Sequence, residues 1–372
     1  MTLPLPASAV IDERPFQHGS PLRAGVLLVN LGTPEAPTAP ALRRYLKEFL
    51  SDPRVVEIPK FVWWPLLNLI ILNTRPKKSA AKYASVWLNE GSPLRVYSER
   101  QLAKTTEALR SAGYDLALEL AMRYGEPSIA QGLDRLKARG VNRVLVLPLY
   151  PQFSASTTAT VFDKVYDALA AMRSPPALRT IRHFHDHPAY IEAVAASIRG
   201  YWEAHGRGDL LLMSFHGVPK RSLLKGDPYH CECHKTGRLI ATALGLSESQ
   251  WRVSFQSRFG PAEWLKPYTA ELLEQLPLAG VKRLDVVCPG FLSDCLETLE
   301  EIAMEGKEEF LTAGGERYQF IPCLNDSEQA VALLQALIVQ ETMGWPVRPE
   351  TAQAGADRAI ARSRARALGA QD

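Results

Sequence analysis

Hydrophobic residues in this chain gather in short unbroken runs, each closed by a polar turn. The clearest are VLLVN (26–30), RVLVLPLY (143–150), LLLMSF (210–215) and RLDVVCPG (283–290). Runs this short, without polar alternation, predict strands buried on both faces. Between them the spacing turns helical. In SIAQGLDRLKARG (128–140), Ile129, Leu133 and Leu136 fall on one face and Gly140 suits a C-cap. TAELLEQLPLAG (269–280) reads the same way. Strands alternating with helices predict an α/β fold with parallel sheets and right-handed crossovers. In such sheets ligands sit beyond the carboxyl ends of the strands.

The pattern also repeats. GVLLVNLGTP (25–34) is similar to LLLMSFHGVP (210–219), MRYGEPS (122–128) to QSRFGPA (256–262), and VNRVLVLPLYP (141–151) to VKRLDVVCPGF (281–291). Three matches in the same order predict a duplicated fold, with two similar lobes facing each other across a cleft. Residues 1–21 form an N-terminal extension, 22–185 the first lobe and 190–342 the second. In the remainder, 343–372, WPVRPE breaks regular structure. The Ala- and Arg-rich AIARSRARALGAQD that follows reads as a frayed helix or a disordered tail.

Composition narrows the function classes. With 372 residues, 46% of them hydrophobic, the chain can bury large cores. A net charge of +3 is too slight for a dedicated nucleic-acid binder, whose basic residues would be dense and clustered. Five scattered cysteines form no disulfide framework and point to a reducing compartment. The start, MTLPLPASAVIDERPFQHGS, lacks a basic n-region, and Asp12 and Glu13 interrupt any apolar run, so no signal peptide is expected. The greasiest segment, FVWWPLLNLIIL (61–72), is shorter than the ~20 residues a spanning helix needs and contains Pro65. The expectation is a cytoplasmic protein with one apolar surface element.

Candidate chemistry lies at strand ends. His216 in SFHGVPKRS (214–222) leaves its strand just before Gly217 and would enter the cleft, unless it merely hydrogen-bonds the backbone. In CPGFLSDCLETLEEIAMEGKEEF (288–310), Ser293 or Asp294 can cap a helix. On that helix Asp294, Glu297, Glu301 and Glu305 share one α-helical face. Such a stripe is usually a solvated surface, but this one starts where a ligand site belongs. An imidazole beside carboxylates suits a divalent cation in transit, without the thiolates that would retain zinc, and it can accept protons. PQFSASTTAT (151–160) reads as an anion-binding turn or as the cap of the next helix. In AMRYGEPS (121–128), Arg123 can pair with a carboxylate and Tyr124 can pack on a flat ligand; Trp264 is a further stacking candidate or else core. The apolar 61–72 run leads into Arg75, Lys77, Lys78 and Lys82. That pattern suits a lip resting on an anionic membrane surface or covering an apolar ligand; a buried helix with a basic end is the alternative. PYHCECHKT (228–236) crowds His230, Cys231, Cys233 and His234 together, but Cys-x-Cys in one loop is poor geometry for structural zinc.

Taken together, NLGTP, Gly91-Ser92-Pro93-Leu94, PQFSASTT, SFHGVP, GDPY, QSRFGP-x-x-W and SDCLETLEE resemble the ferrochelatase family from about residue 24 to 342. The pairing of SFHGVP with SDxLETL is the most specific feature. The resemblance implies two Rossmann-like lobes with a porphyrin cleft between them. The expected activity is insertion of Fe2+ into protoporphyrin IX, with loss of two protons, to give protohaem. It implies that His216 binds the metal or accepts a pyrrole proton, that Glu297 faces it, and that Asp294 and Glu301 pass protons or metal. It implies porphyrin-pocket positions at Arg123, Tyr124, Ser154 and Trp264, with Leu31 at a variable pocket position. Cys295 stands where many relatives carry a second histidine, which places a His-to-Glu proton relay in doubt. Some relatives hold a [2Fe–2S] cluster on late cysteines. Here Cys323 is the last cysteine, and Ala155 occupies the position of one cluster ligand in animal relatives, so no cluster and no cofactor are expected. The competing readings are a related chelatase acting on coproporphyrin or inserting cobalt, and a non-catalytic haem or metal carrier.

Overall fold

The structure, a computed structural model, describes residues 17–371. Residues 1–16, which include Asp12, Glu13 and most of the N-terminal extension, lie outside the described residues. The described chain contains two four-stranded parallel sheets. The first comprises β1 (Ala24–Gly32), β2 (Ala117–Tyr124), β3 (Arg143–Pro148) and β4 (Ala177–Thr180), in the order β2-β1-β3-β4. The second comprises β5 (Leu210–His216), β6 (Trp251–Gln256), β7 (Arg283–Val287) and β8 (Arg317–Ile321), in the order β6-β5-β7-β8. The two sheets share one topology.

The duplication extends to register. Gly25 sits opposite Val144, and the corresponding Leu210 opposite Leu284. Two of the three sequence matches are therefore aligned residue for residue, and they place Leu31 and His216 at equivalent positions. The third match slips by one. Gly32 pairs with Tyr124 and Asn30 with Met122, while His216 pairs with Gln256, so Arg123 rather than Met122 corresponds to Gln256.

Alternation along each strand divides the core into layers. Leu27 and Val29 of β1 join Ile129, Leu133 and Leu136 of the helix Ile129–Ala138 on the outer face of the first sheet. Leu212, Leu284 and Val286 pack against Leu273 and Phe310 on the outer face of the second. The inner faces meet in one continuous cluster. Val26, Leu28, Leu118 and Leu145 reach Tyr190 and Ile198 of the helix Pro188–His205, Leu334 and Ile338 of the helix Glu328–Glu341, and Met213 and Phe215 of β5. The lobes are thus two sheets around a shared interior.

Two peripheral elements bear on function. Residues 60–86 form one helical run: an α-helical turn Lys60–Pro65, a π-helical stretch Leu66–Ile71 and the helix Leu72–Val86. Trp63, Leu67 and Ile71, four apart, face inward, and the Trp63 indole donates to the Leu50 carbonyl at 2.6 Å. Phe61 (82% exposed), Trp64 (65%) and Leu69 (69%) face outward with Val62 and Ile70. The buried-helix alternative is thereby set aside, because most of the segment's apolar area stands in the open. The basic residues divide. Arg75 stacks over Phe259 at 3.9 Å, Lys82 pairs with Glu300 and Glu305, and Lys77 and Lys78 are exposed. The tail, read as frayed or disordered, contains the helix Ala352–Ala367, and Arg358 and Arg362 of that helix donate to the carbonyls of Gly19 and His18.

Candidate functional site

His216 is the last residue of β5 and half-buried. Its Nδ1 lies 2.6 Å from the Gly217 carbonyl oxygen. A carbonyl only accepts, so Nδ1 carries a proton and Nε2 is the nitrogen left to meet a proton or a metal. Gly217 is needed because a Cβ there would come within 2.7 Å of the Gln256 carbonyl and 3.2 Å of the Trp264 ring. Trp264 therefore lies over the turn beside His216, bridged to Pro219, and its buried indole N–H has no partner.

The acidic residues come from Glu297–Glu305, which is a π-helix. The sequence pattern assumed α spacing, with Asp294 on the same face as the glutamates. The structure corrects this. A π-helix, bonded i→i+5, winds more slowly, so Glu297, Glu301 and Glu305, four apart, come near a single line. Asp294 precedes the π-helix and is buried. It accepts from Thr298 Oγ1 at 2.9 Å, Asn325 Nδ2 at 2.6 Å and the Cys323 N–H at 3.3 Å. Glu305 is drawn to the lip by Lys82.

Glu297 is half-buried, and its carbonyl accepts from Gln256 Nε2 at 2.9 Å. Gln256 is in turn fixed by Ser214 Oγ at 2.7 Å. Glu301 accepts from the N–H of Ser257 at 2.6 Å and from its hydroxyl. That grip holds Ser257 at φ 64°, a left-handed conformation costing a non-glycine residue about 1–3 kcal/mol. Burial pushes the Glu301 carboxyl above its ordinary range, against the Ser257 hydrogen bonds and the nearby His216, with Glu297 pushing the same way as burial. His216, Glu297 and Glu301 are thus electrostatic neighbours. The Cys295 thiol is pushed up by burial and by the adjoining Glu297, so it stays protonated beside that carboxylate.

The opposite wall is apolar and aromatic. Leu31, half-buried at the end of β1, packs in a cluster with Tyr45, Tyr83, Trp87 and Leu296. Burial raises the Tyr45 and Tyr83 hydroxyls well above their usual range, and the Glu297 charge adds to both, which places these rings next to it. Three expected pocket residues are buried, each with partners within the protein. Arg123 (7% exposed) forms an ion pair with Asp52, and Tyr124 (0%), itself a member of the Leu31 cluster, donates to the same carboxylate at 2.9 Å. Ser154 is buried and donates to Asp227 at 3.1 Å. The turn it opens does bind anions, but they are the protein's own: the N–H groups of Ala155 and Phe153 donate to Asp227 and Glu232 at 2.8 and 2.7 Å. Phe153–Ala155 and Asp227–Glu232 thereby form a polar seam between the lobes.

Comparison with known proteins decides the family. The ferrochelatase family model matches residues 23–342. The chain belongs to the ferrochelatase family. The ferrochelatase of Dechloromonas aromatica (strain RCB) is 57% identical over 341 residues, covering 91% of this chain and 93% of that one. That of Azoarcus sp. (strain BH72) is 56% identical over 360 residues, covering 97% and 98%. Among solved structures, SirB from Bacillus subtilis with Fe3+ superposes with a TM-score of 0.52 at 11% identity, over 87% of this chain and 96% of that one; at that identity the likeness is one of fold.

Sequence reasoning did not find Tyr45, Tyr83, Trp87 or Ser257. Tyr45 and Tyr83 look like ordinary core residues of their helices, and only the tertiary fold turns them toward Glu297. Ser257 lies within the QSRFGP motif, but its left-handed backbone leaves no mark in the residue pattern.

Proposed function

We propose that the chain inserts Fe2+ into protoporphyrin IX at a centre where His216 and Glu297 face each other, with Glu301 behind them. Membership of the ferrochelatase family makes it a metal chelatase of haem biosynthesis with iron and a porphyrin as substrates. The observation that supports the site assignment is an imidazole whose Nδ1 is held by the Gly217 carbonyl, leaving Nε2 available, in the electrostatic neighbourhood of Glu301 and Glu297 and beside the apolar wall that includes Leu31. Metal insertion displaces two pyrrole protons. His216 Nε2 accepts one, and the raised affinity of Glu301 for a proton offers an outlet along the π-helix. Oxygen and nitrogen donors without thiolate hold Fe2+ loosely enough to release it into the ring. A cleft that bends the macrocycle would expose its nitrogen lone pairs, at the expense of binding energy from the apolar wall. No resident cofactor and no iron–sulfur cluster enter this scheme.

Protoporphyrin rather than coproporphyrin fits the exposed apolar lip and Leu31, since two of its edge groups are vinyls where coproporphyrin carries carboxylates. The outward Phe61, Trp64 and Leu69 beside Lys77 and Lys78 also suit peripheral contact with an anionic bilayer. Among the described residues, no helix is long and apolar enough to cross a membrane.

The test is anaerobic mixing of the protein with protoporphyrin and Fe2+, or Zn2+ as a substitute, following loss of free-porphyrin fluorescence. Multiple turnover, release of two protons per metal inserted and loss of both in His216→Ala support the proposal. Tight porphyrin binding without turnover supports a carrier, and faster turnover on coproporphyrin overturns the substrate assignment.

A further inference from the structure

The cysteine-rich segment that suggested a metal from sequence does meet histidines in the fold, but through a different residue. Glu232, between Cys231 and Cys233 on the helix Tyr229–Ala243, points into the inter-lobe seam at 6% exposure. Facing it are His183 and His185, in the segment that joins β4 to the helix Pro188–His205. His183 Nδ1 is 2.7 Å from one carboxylate oxygen of Glu232, and His185 Nδ1 is 3.4 Å from the other. One donor atom from each of the three lies within 4.8 Å of the others. Metal–ligand bonds of about 2.0–2.1 Å at tetrahedral angles set donor atoms about 3.4 Å apart, so small side-chain adjustments would close the set around one ion.

Two observations point to a ligand rather than to a simple hydrogen-bonded cluster. His185 is 5% exposed, yet its Nδ1 has no hydrogen-bond partner. Its Nε2 faces the Asp186 carboxylate at 3.8 Å, and Lys235 holds that carboxylate in place. A histidine with one nitrogen free and the other turned to a carboxylate is the usual arrangement around a bound metal. The charge balance agrees. Lys235 is paired with Asp186 rather than with the cluster. The Glu232 charge is left with the Phe153 N–H and imidazole as neighbours. His183, whose side chain is 36% exposed, opens the site to solvent.

We propose that His183, His185 and Glu232 bind one divalent first-row transition-metal ion, with water completing its coordination, at a site built from residues other than those around His216. Two imidazoles and one carboxylate, without thiolate, suit Zn2+ or Fe2+. The ion would join the inter-lobe segment to the second lobe, beside the loop of Phe153.

Co2+ is the probe. In the full chain carrying His216→Ala, Glu297→Gln and Glu301→Gln, which removes the donors of the reaction centre, titration is expected to show one equivalent bound, with visible d–d absorption. Adding His183→Ala or the near-isosteric Glu232→Gln is expected to weaken binding by about tenfold or more. Circular dichroism and melting in EDTA check that these variants fold. Paramagnetically shifted imidazole N–H signals, in protein with the triad intact, are expected to count two histidine ligands. Failure to bind Co2+ in that background, unchanged affinity in both added variants, or fewer than two histidine ligands overturns the proposal.

Discussion

The two lobes end their central strands alike and put different chemistry there. β1 and β5 lie between the same neighbours in the same register, and each runs into a glycine that must pass close to the adjoining strand. A Cβ on Gly32 would lie 1.8 Å from the Tyr124 carbonyl oxygen; one on Gly217 would lie 2.7 Å from that of Gln256. Just before these glycines stand Leu31 and His216. At the neighbouring strand end, the first lobe has Arg123, locked to Asp52, where the second has Gln256, which holds the backbone of Glu297. The return from β2 takes few residues, with the Met122 N–H meeting the Pro127 carbonyl, whereas from β6 the Phe255 N–H meets that of Pro267. The longer return carries Ser257, Phe259 and Trp264. Duplication supplied two equivalent platforms; one became a rigid apolar wall, and the other, through a longer loop and a π-helix, became the reacting side.

The sharpest way to break this division is at its two key residues. His216→Ala is expected to lower kcat by about 10²–10⁴-fold, and Glu297→Gln by about 10²-fold, with melting temperatures close to the parent's. Steady-state insertion of Zn2+ checks both. If the first lobe is a wall, its buried pair should matter to stability. Arg123→Met leaves Asp52 charged and buried, and is expected to cost about 3–5 kcal/mol in urea unfolding. The pH dependence has a definite sign. Burial alone would raise the Asp52 carboxyl, but hydrogen bonds from Thr160, the Arg54 N–H and Tyr124, with the Arg123 charge, hold it below its ordinary value. Its stabilisation is therefore present above the unfolded-state pKa of about 3.9 and is lost as pH falls through the lower folded value, a loss acid titration of the unfolding free energy should show.

Leu31→Ala, the counterpart of His216→Ala, is expected to raise KM by about tenfold or less, about 1.4 kcal/mol of binding, with kcat little changed. A fall in kcat to match His216→Ala would mean that the wall takes part in the chemistry. The smallest effect is at Glu301. Its folded pKa is raised by burial, so its contribution to stability is full below the unfolded pKa and is lost as pH rises through the folded one. Glu301→Gln is expected to melt about 2 °C or less above the parent at neutral pH, the gap closing in acid; thermal melts across pH check this.

What the sequence disclosed follows from how local each signal is. The strands were legible because being buried on both faces leaves no polar alternation, and the duplication because register preserves residue order. His216 stood out because a polar side chain at a strand end before glycine lies where ligands gather, although the same place also allows the backbone hydrogen bond that its Nδ1 makes to Gly217. Arg123 was recognised as able to pair with a carboxylate, but Asp52 lies 71 residues away and nothing local links them. Asp294 was assigned to the acidic face because α periodicity was assumed, and the switch to π winding has no signature in the residues 297–305. PYHCECHKT suggested a metal by residue type; His230 and His234 do pack against each other one turn apart on the helix, but it is Glu232 that meets histidines from a segment some fifty residues earlier.

The shared interior between the sheets has a mechanical consequence. Swinging one lobe from the other would expose Val26, Leu28, Tyr190, Met213, Phe215 and Leu334 to water, at about 25 cal/mol for each Å² uncovered. The shared interior therefore resists a clamshell opening of the two lobes. At the rim the lip is tethered by Lys82, through a partly exposed ion pair to Glu305 of a kind typically worth about 0–1 kcal/mol and a second pair to the buried Glu300, so less burial opposes displacement there than between the sheets.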